Sequence, residues 1–156
     1  VVLYNASARA GGPFTEIDPV KVANALNITA YGGFLVGQQA AKRMVRQGSG
    51  TILFTGASAS VKGYKQSAAF AMGKFALRGL AQSMTRELAP QGIHVAHFVI
   101  DGGVRNVERG RIEKSDATPD SFLDADSIAD TYMHVVDQPR SVWTWEIELR
   151  PWVETF

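Results

Sequence analysis

Lys74 stands four residues after Phe70, and on a helix that spacing turns both side chains to one face. An ammonium in such a place can hold a ligand hydroxyl or tune a neighbouring acid, whereas a phenyl ring can neither give nor take a proton. Tyr64, the nearest phenol before it, has the wrong spacing to share a helical face with Lys74. Ser58 and Ser60 lie in a Gly/Ser-rich turn, where their hydroxyls either serve chemistry or bond local backbone amides. Thr29 offers a third hydroxyl, on a separate helical pattern, which either holds a water or packs one helix on another. His94 and His97 are three apart on a probable strand and therefore face opposite ways, and His134 is alone on the last helix, so no metal site is expected.

The elements that must position these groups follow from periodicity and punctuation. Val1 to Tyr4 reads as a buried strand that ends in the polar Asn5-Ala6-Ser7. Asp18-Pro19 supplies a cap and first turn for helical periodicity over about 20–46, with a bend expected at Gly32-Gly33 and a stop at Gly48. Thr51 to Phe54 is a second strand, about 68–88 a helix, and His94 to Ile100 a third strand. Residues 104–122 read as a loop or small lid. Asp124 caps a helix through about Val136, and Trp143, Trp145, Ile147 and Leu149 alternate with polar residues as in a half-buried strand.

Strands alternating with helices predict an α/β fold: a Rossmann-like parallel sheet with flanking helices. Only one wing of a doubly wound domain is recognisable, and its N-terminal half is missing from the pattern. The chain therefore reads as a single partial domain over 1–156. A strand that begins at residue 1 without turn or cap, in a sequence that does not begin with Met, predicts a start inside a domain and an apolar open edge. A rival expectation, a stand-alone small α/β binding domain, requires the chain to be complete.

Charge and composition exclude several classes. With 16 basic and 15 acidic side chains interspersed, the chain carries no polybasic stripe, so neither nucleic acid nor a membrane surface is an expected partner. The absence of cysteine removes disulfide and thiolate chemistry and favours a reducing compartment, with the cytoplasm as the expected location.

Four landmarks in order resemble the short-chain dehydrogenase/reductase family. Tyr4-Asn5-Ala6-Ser7 is similar to its Asn-Asn-Ala-Gly, Thr51 to Gly56 to the fifth strand and the start of its serine-bearing turn, Lys74 to the lysine of Tyr-x-x-x-Lys, and Asp101-Gly102 to the Pro-Gly after the sixth strand. The resemblance implies hydride transfer between NAD or NADP and a small-molecule carbonyl or alcohol substrate, uncharged or weakly polar. It also implies a homo-oligomer built on the two long helices. The site it implies has Lys74, Ser58 and Thr29 as catalytic residues and Asn5, Ala6, Ser7, Lys74, Gly102 and Asn106 around the cofactor.

The departures are as informative as the matches. Phe70 replaces the tyrosine. Counting back the usual thirteen or so residues from it reaches Ala57, so Ser58 serves only if the turn is irregular, and Thr29 falls where the family has an asparagine. The segment Thr55 to Gly63 follows a strand but lacks the Gly-x-x-x-Gly-x-Gly spacing of a pyrophosphate loop. Two expectations follow: an oxidoreductase of impaired or absent activity, or a catalytically silent Rossmann-like protein that senses cofactor or serves as a subunit.

Overall fold

The computed structural model describes residues 1–113 and 118–155. Part of the expected lid, 114–117, lies outside the described residues. Four strands, β1 (Val2–Tyr4), β2 (Gly50–Thr55), β3 (Ile93–Ile100) and β4 (Glu146–Leu149), form one parallel sheet in the order β1-β2-β3-β4. The crossovers are carried by α1 (Pro19–Leu26), α2 (Gly32–Gln47), α3 (Ala68–Leu88) and α4 (Ala125–Val136). The expected Rossmann-like wing is thus present, with β1 at an open edge where Leu3 is half exposed.

Alternation along the strands divides the core into two layers. Ile52, Phe54, Ile93 and Val95 pack with Leu77 and Ala81 of α3 and Ala40 and Met44 of α2. Leu53, Ala96 and Phe98 face the opposite way and pack with Tyr132 and Val135 of α4. Burying both faces explains why β3 reads as a continuous run and not as an alternating one. Among the described residues, no helix is long and apolar enough to cross a membrane.

The expected punctuation is present. Asp18 caps α1 by accepting from the Val20 amide at 2.8 Å, Asp124 caps α4 by accepting from Ser127 at 2.9 Å, and Gly48 ends α2 with φ of 68°. Two expectations are corrected. The long helix is not regular, because Asn27–Tyr31 forms a π turn in which the Gly32 amide donates to the Asn27 carbonyl. The cause lies under it: the Tyr4 hydroxyl donates to the Ile28 carbonyl, and a Cβ on Gly32 would lie 2.4 Å from that hydroxyl. The last strand is also shorter than its alternation suggests. A 3₁₀ turn at Arg140–Val142 precedes it, and Trp143 stacks on His94 at 4.8 Å.

If Tyr4 wedges the helix open, Gly32→Ala should destabilise the fold by about 1–3 kcal/mol through overpacking. The same substitution should cost less in a Tyr4→Phe background, where the obstructing hydroxyl is gone. Denaturant titration of the four corners of this double-mutant cycle checks the coupling.

Candidate functional site

The carboxyl ends of β1, β2 and β3 open onto a cavity of about 560 Å³, the place where ligands bind in open α/β sheets. Asn5 and Ser7 line it from the end of β1, Thr55 to Ala57 from the turn after β2, Phe70 and Lys74 from α3, and Gly102 from the loop after β3. Ala125 to Met133 of α4 form part of the apolar wall.

Lys74 is only 2 % exposed, and its Nζ donates to the Thr55 carbonyl at 2.7 Å. That bond uses one of three ammonium donors and leaves the rest for a ligand. Burial first, and the charge of Arg9 second, push the Lys74 pKa down to about 8. Phe70 sits beside it with the ammonium 5.8 Å from the ring centroid, and the guanidinium of Arg9 lies over the same ring at 4.0 Å. The geometry expected for a lysine and an aromatic ring on one helical face is therefore present, with no phenol in it.

The other expected site residues are distributed differently. Asn5, Ser7 and Gly102 line the cavity with Lys74, whereas Ala6, Ser58, Thr29 and Asn106 are not among its lining residues. Ser58 opens a 3₁₀ turn (Ser58–Ser60) and its carbonyl accepts from Val61 and Lys62. Thr29 is buried in the π turn, where its hydroxyl accepts from the Ala8 amide at 3.0 Å and its side chain packs against Gly73. Asn106 caps a short turn by accepting from Arg109 at 2.8 Å. The carboxylate of Asp101, which stands where the family has proline, is paired with Arg150 at 2.9 Å and Lys62 at 3.4 Å.

Behind the turn runs a partly buried polar chain that sequence reading did not assemble. Arg78 grips Glu146 through two bonds of 2.6 and 2.7 Å, Glu146 meets His97 Nδ1 at 3.0 Å, and His97 Nε2 lies 3.3 Å from the Ser60 hydroxyl. Ser60 in turn accepts from the Ala57 amide at 3.1 Å. Burial holds the His97 pKa down at about 4, against the opposing pull of Glu146, so the ring is neutral. Its Nδ1 then donates to the carboxylate and its Nε2 accepts from Ser60. Burial raises the Glu146 carboxyl, but the bonds and charge of Arg78 outweigh that and leave its pKa below the ordinary value. The one sequence signal was Glu146 itself, an acid on the polar side of the alternating strand beside a histidine-bearing neighbour. Arg9 carries no pattern in the sequence that marks it out, and only the fold brings it onto Phe70.

Comparison with known proteins gives the family. The family model for short chain dehydrogenase matches residues 1–109, and the chain belongs to that family. It is 30% identical over 128 residues to 17-beta-hydroxysteroid dehydrogenase type 1 of Homo sapiens, an alignment that covers 82% of this chain and 38% of the human protein. A short-chain dehydrogenase from Rhodopseudomonas palustris superposes with a TM-score of 0.78 at 36% identity, covering 96% of this chain and 61% of that one. An alcohol dehydrogenase from the archaeon Thermococcus sibiricus, solved with 5-hydroxy-NADP, shares the fold with a TM-score of 0.81 at 19% identity over 99% of this chain and 63% of its own. The chain thus spans less than two thirds of the length of these relatives.

Because His97 is neutral and buried in the native state but titrates at about 6.5 when unfolded, acid favours the unfolded chain. Stability should be full above pH 6.5 and fall as the pH drops towards 4, by about 2 kcal/mol between pH 7.5 and 5 at 1.36 kcal/mol per pKa unit. Denaturant titrations at the two pH values check this, and His97→Gln, which cannot titrate, should flatten the difference.

Proposed function

We propose that the full-length protein is an NAD(P)-dependent oxidoreductase acting on a small carbonyl or alcohol, with hydride transfer slow or absent in this form of the site. The observation that carries the reading is the replacement of the proton donor: Phe70 lies on the cavity wall beside Lys74, and Ala57 occupies the turn position where the family's serine belongs. The residues present suit the nicotinamide-ribose end of a dinucleotide. Asn5 and Ser7 offer polar groups at the end of β1, Lys74 has donors to spare for a ribose diol, and Gly102 at φ of 144° lets backbone approach closely. When bound, the cofactor supplies the hydride.

The chain's own residues would orient the ligand and stabilise charge on its oxygen, but none stands in the usual place to move the accompanying proton. Losing one positioned acid costs about 10²- to 10⁴-fold in rate, which makes the protein a poor enzyme unless another group serves. A second reading, a silent subunit or cofactor sensor, is favoured by the coincidence of three departures, at Phe70, Ala57 and Thr29. Under either reading we expect a cytoplasmic homo-oligomer paired through α2 and α3, where Phe34, Leu35, Met72 and Phe75 are exposed.

Restoring the donor separates the two. In the full-length protein, Phe70→Tyr combined with Ala57→Ser should raise NAD(P)H turnover with small aldehydes and ketones by at least about 10²-fold. Unchanged turnover with cofactor still bound would favour the silent reading.

A further inference from the structure

We propose that the cavity takes its ligand by a carboxylate, that Arg9 is the residue selecting it, and that the ligand is a small 2-oxo or 2-hydroxy acid. The proposal deepens the oxidoreductase reading and, for the position of the reacting carbon, rests on it.

The charge inventory of the cavity is one-sided. Among the described residues, Arg9, Lys74 and Arg111 line it and no carboxylate does. The acids that could have neutralised them are already engaged: Asp101 by Arg150 and Lys62, Glu146 by Arg78 and His97. Arg9 itself makes no hydrogen bond or ion pair among the described residues. Its guanidinium carbon lies 4.0 Å from the centre of the Phe70 ring, within cation–π range, and this contact leaves its N–H donors for a ligand. The nearby charge of Arg9 also makes the Lys74 ammonium less favourable, so an anion between them relieves both. A planar fork of donors suits a carboxylate held through two bonds.

Position narrows the ligand further. The reacting carbon would stand beside Phe70, and the guanidinium lies on that same ring, 4.0 Å from its centre. A carboxylate on Arg9 would then lie close to the reacting carbon, as it does in a 2-oxo or 2-hydroxy acid. This is a charged ligand, in place of the uncharged one that the sequence alone suggests.

The test compares pyruvate with methyl pyruvate, which differ by the charge, in calorimetric titrations of the full-length protein with NADH or NADPH present. Cofactor affinity is measured separately by nicotinamide fluorescence. Pyruvate should bind saturably and at least about ten-fold more tightly than the ester. Arg9→Gln should abolish that preference without changing cofactor affinity, and Arg9→Lys should retain part of it. Equal binding of acid and ester, no saturable binding of pyruvate, or a preference that survives Arg9→Gln would overturn the proposal. So would an Arg9→Gln variant that loses cofactor and not pyruvate, since the guanidinium would then serve a phosphate. If neither cofactor binds while the Arg9-dependent preference for pyruvate persists, the carboxylate site stands and the hydride-transfer reading falls.

Discussion

The burial of His97 is the constraint on which the site's scaffold depends. A strand covered on both faces has no room for a solvated imidazole, and a buried ring nitrogen without a partner costs on the order of 1–3 kcal/mol. Both nitrogens are satisfied, and doing so draws together pieces far apart in sequence: Ser60 from the turn after β2, Glu146 from β4, and through Glu146 the guanidinium of Arg78 on α3. One neutral ring thereby ties the turn to the last strand and to the helix that carries Lys74. Gly56 shows how tight the joint is. A Cβ there would lie 2.3 Å from His97 Nε2 and 2.8 Å from the Phe98 carbonyl, so the turn closes on the strand only because that position has no side chain.

The same chain decides which hydroxyl faces the cavity. Ser60 is committed inward, accepting from Ala57 and donating to His97, and is wholly buried. The turn position that does face the ligand is Ala57. The helix that answers it presents a phenyl ring. The cavity wall between β2 and α3 thus presents Ala57 and Phe70 beside the Lys74 ammonium. Tyr132, on the opposite wall, keeps its proton: burial pushes its phenol up to about 12, against the hydrogen bond to Thr55 at 2.8 Å.

Much of the frame was legible in the sequence because it rests on local rules. Asp18-Pro19, Gly48 and Asp124 announce helix ends through short-range bonds, and the mostly apolar stretch from 94 to 100, stopped by Asp101-Gly102-Gly103, announces a strand. The same-face relation of Phe70 and Lys74 follows from helical spacing alone. What was not legible depends on contacts between distant segments. The π turn at 27–31 answers a hydroxyl twenty-four residues earlier in the chain, and no pattern within the helix records it. Glu146 looks like an ordinary outward residue of an alternating strand until His97 and Arg78 are placed opposite it. Arg9 looks like a solvated cation until α3 brings Phe70 beneath it.

That last pair shows why replacing a single ring substituent need not empty a site. Tyrosine and phenylalanine present nearly the same face to a stacked guanidinium, so removing the hydroxyl leaves the platform for Arg9 in place. What changes is the competition for the ligand. A phenol beside Lys74 would offer a neutral donor and, when ionised, an internal partner for the ammonium. Without it, among the described residues the Lys74 ammonium has the Thr55 carbonyl as its acceptor, and its other donors and those of Arg9 are left for whatever enters the cavity. On the proposed reading, one missing oxygen would both weaken acid catalysis and strengthen the demand for an anion.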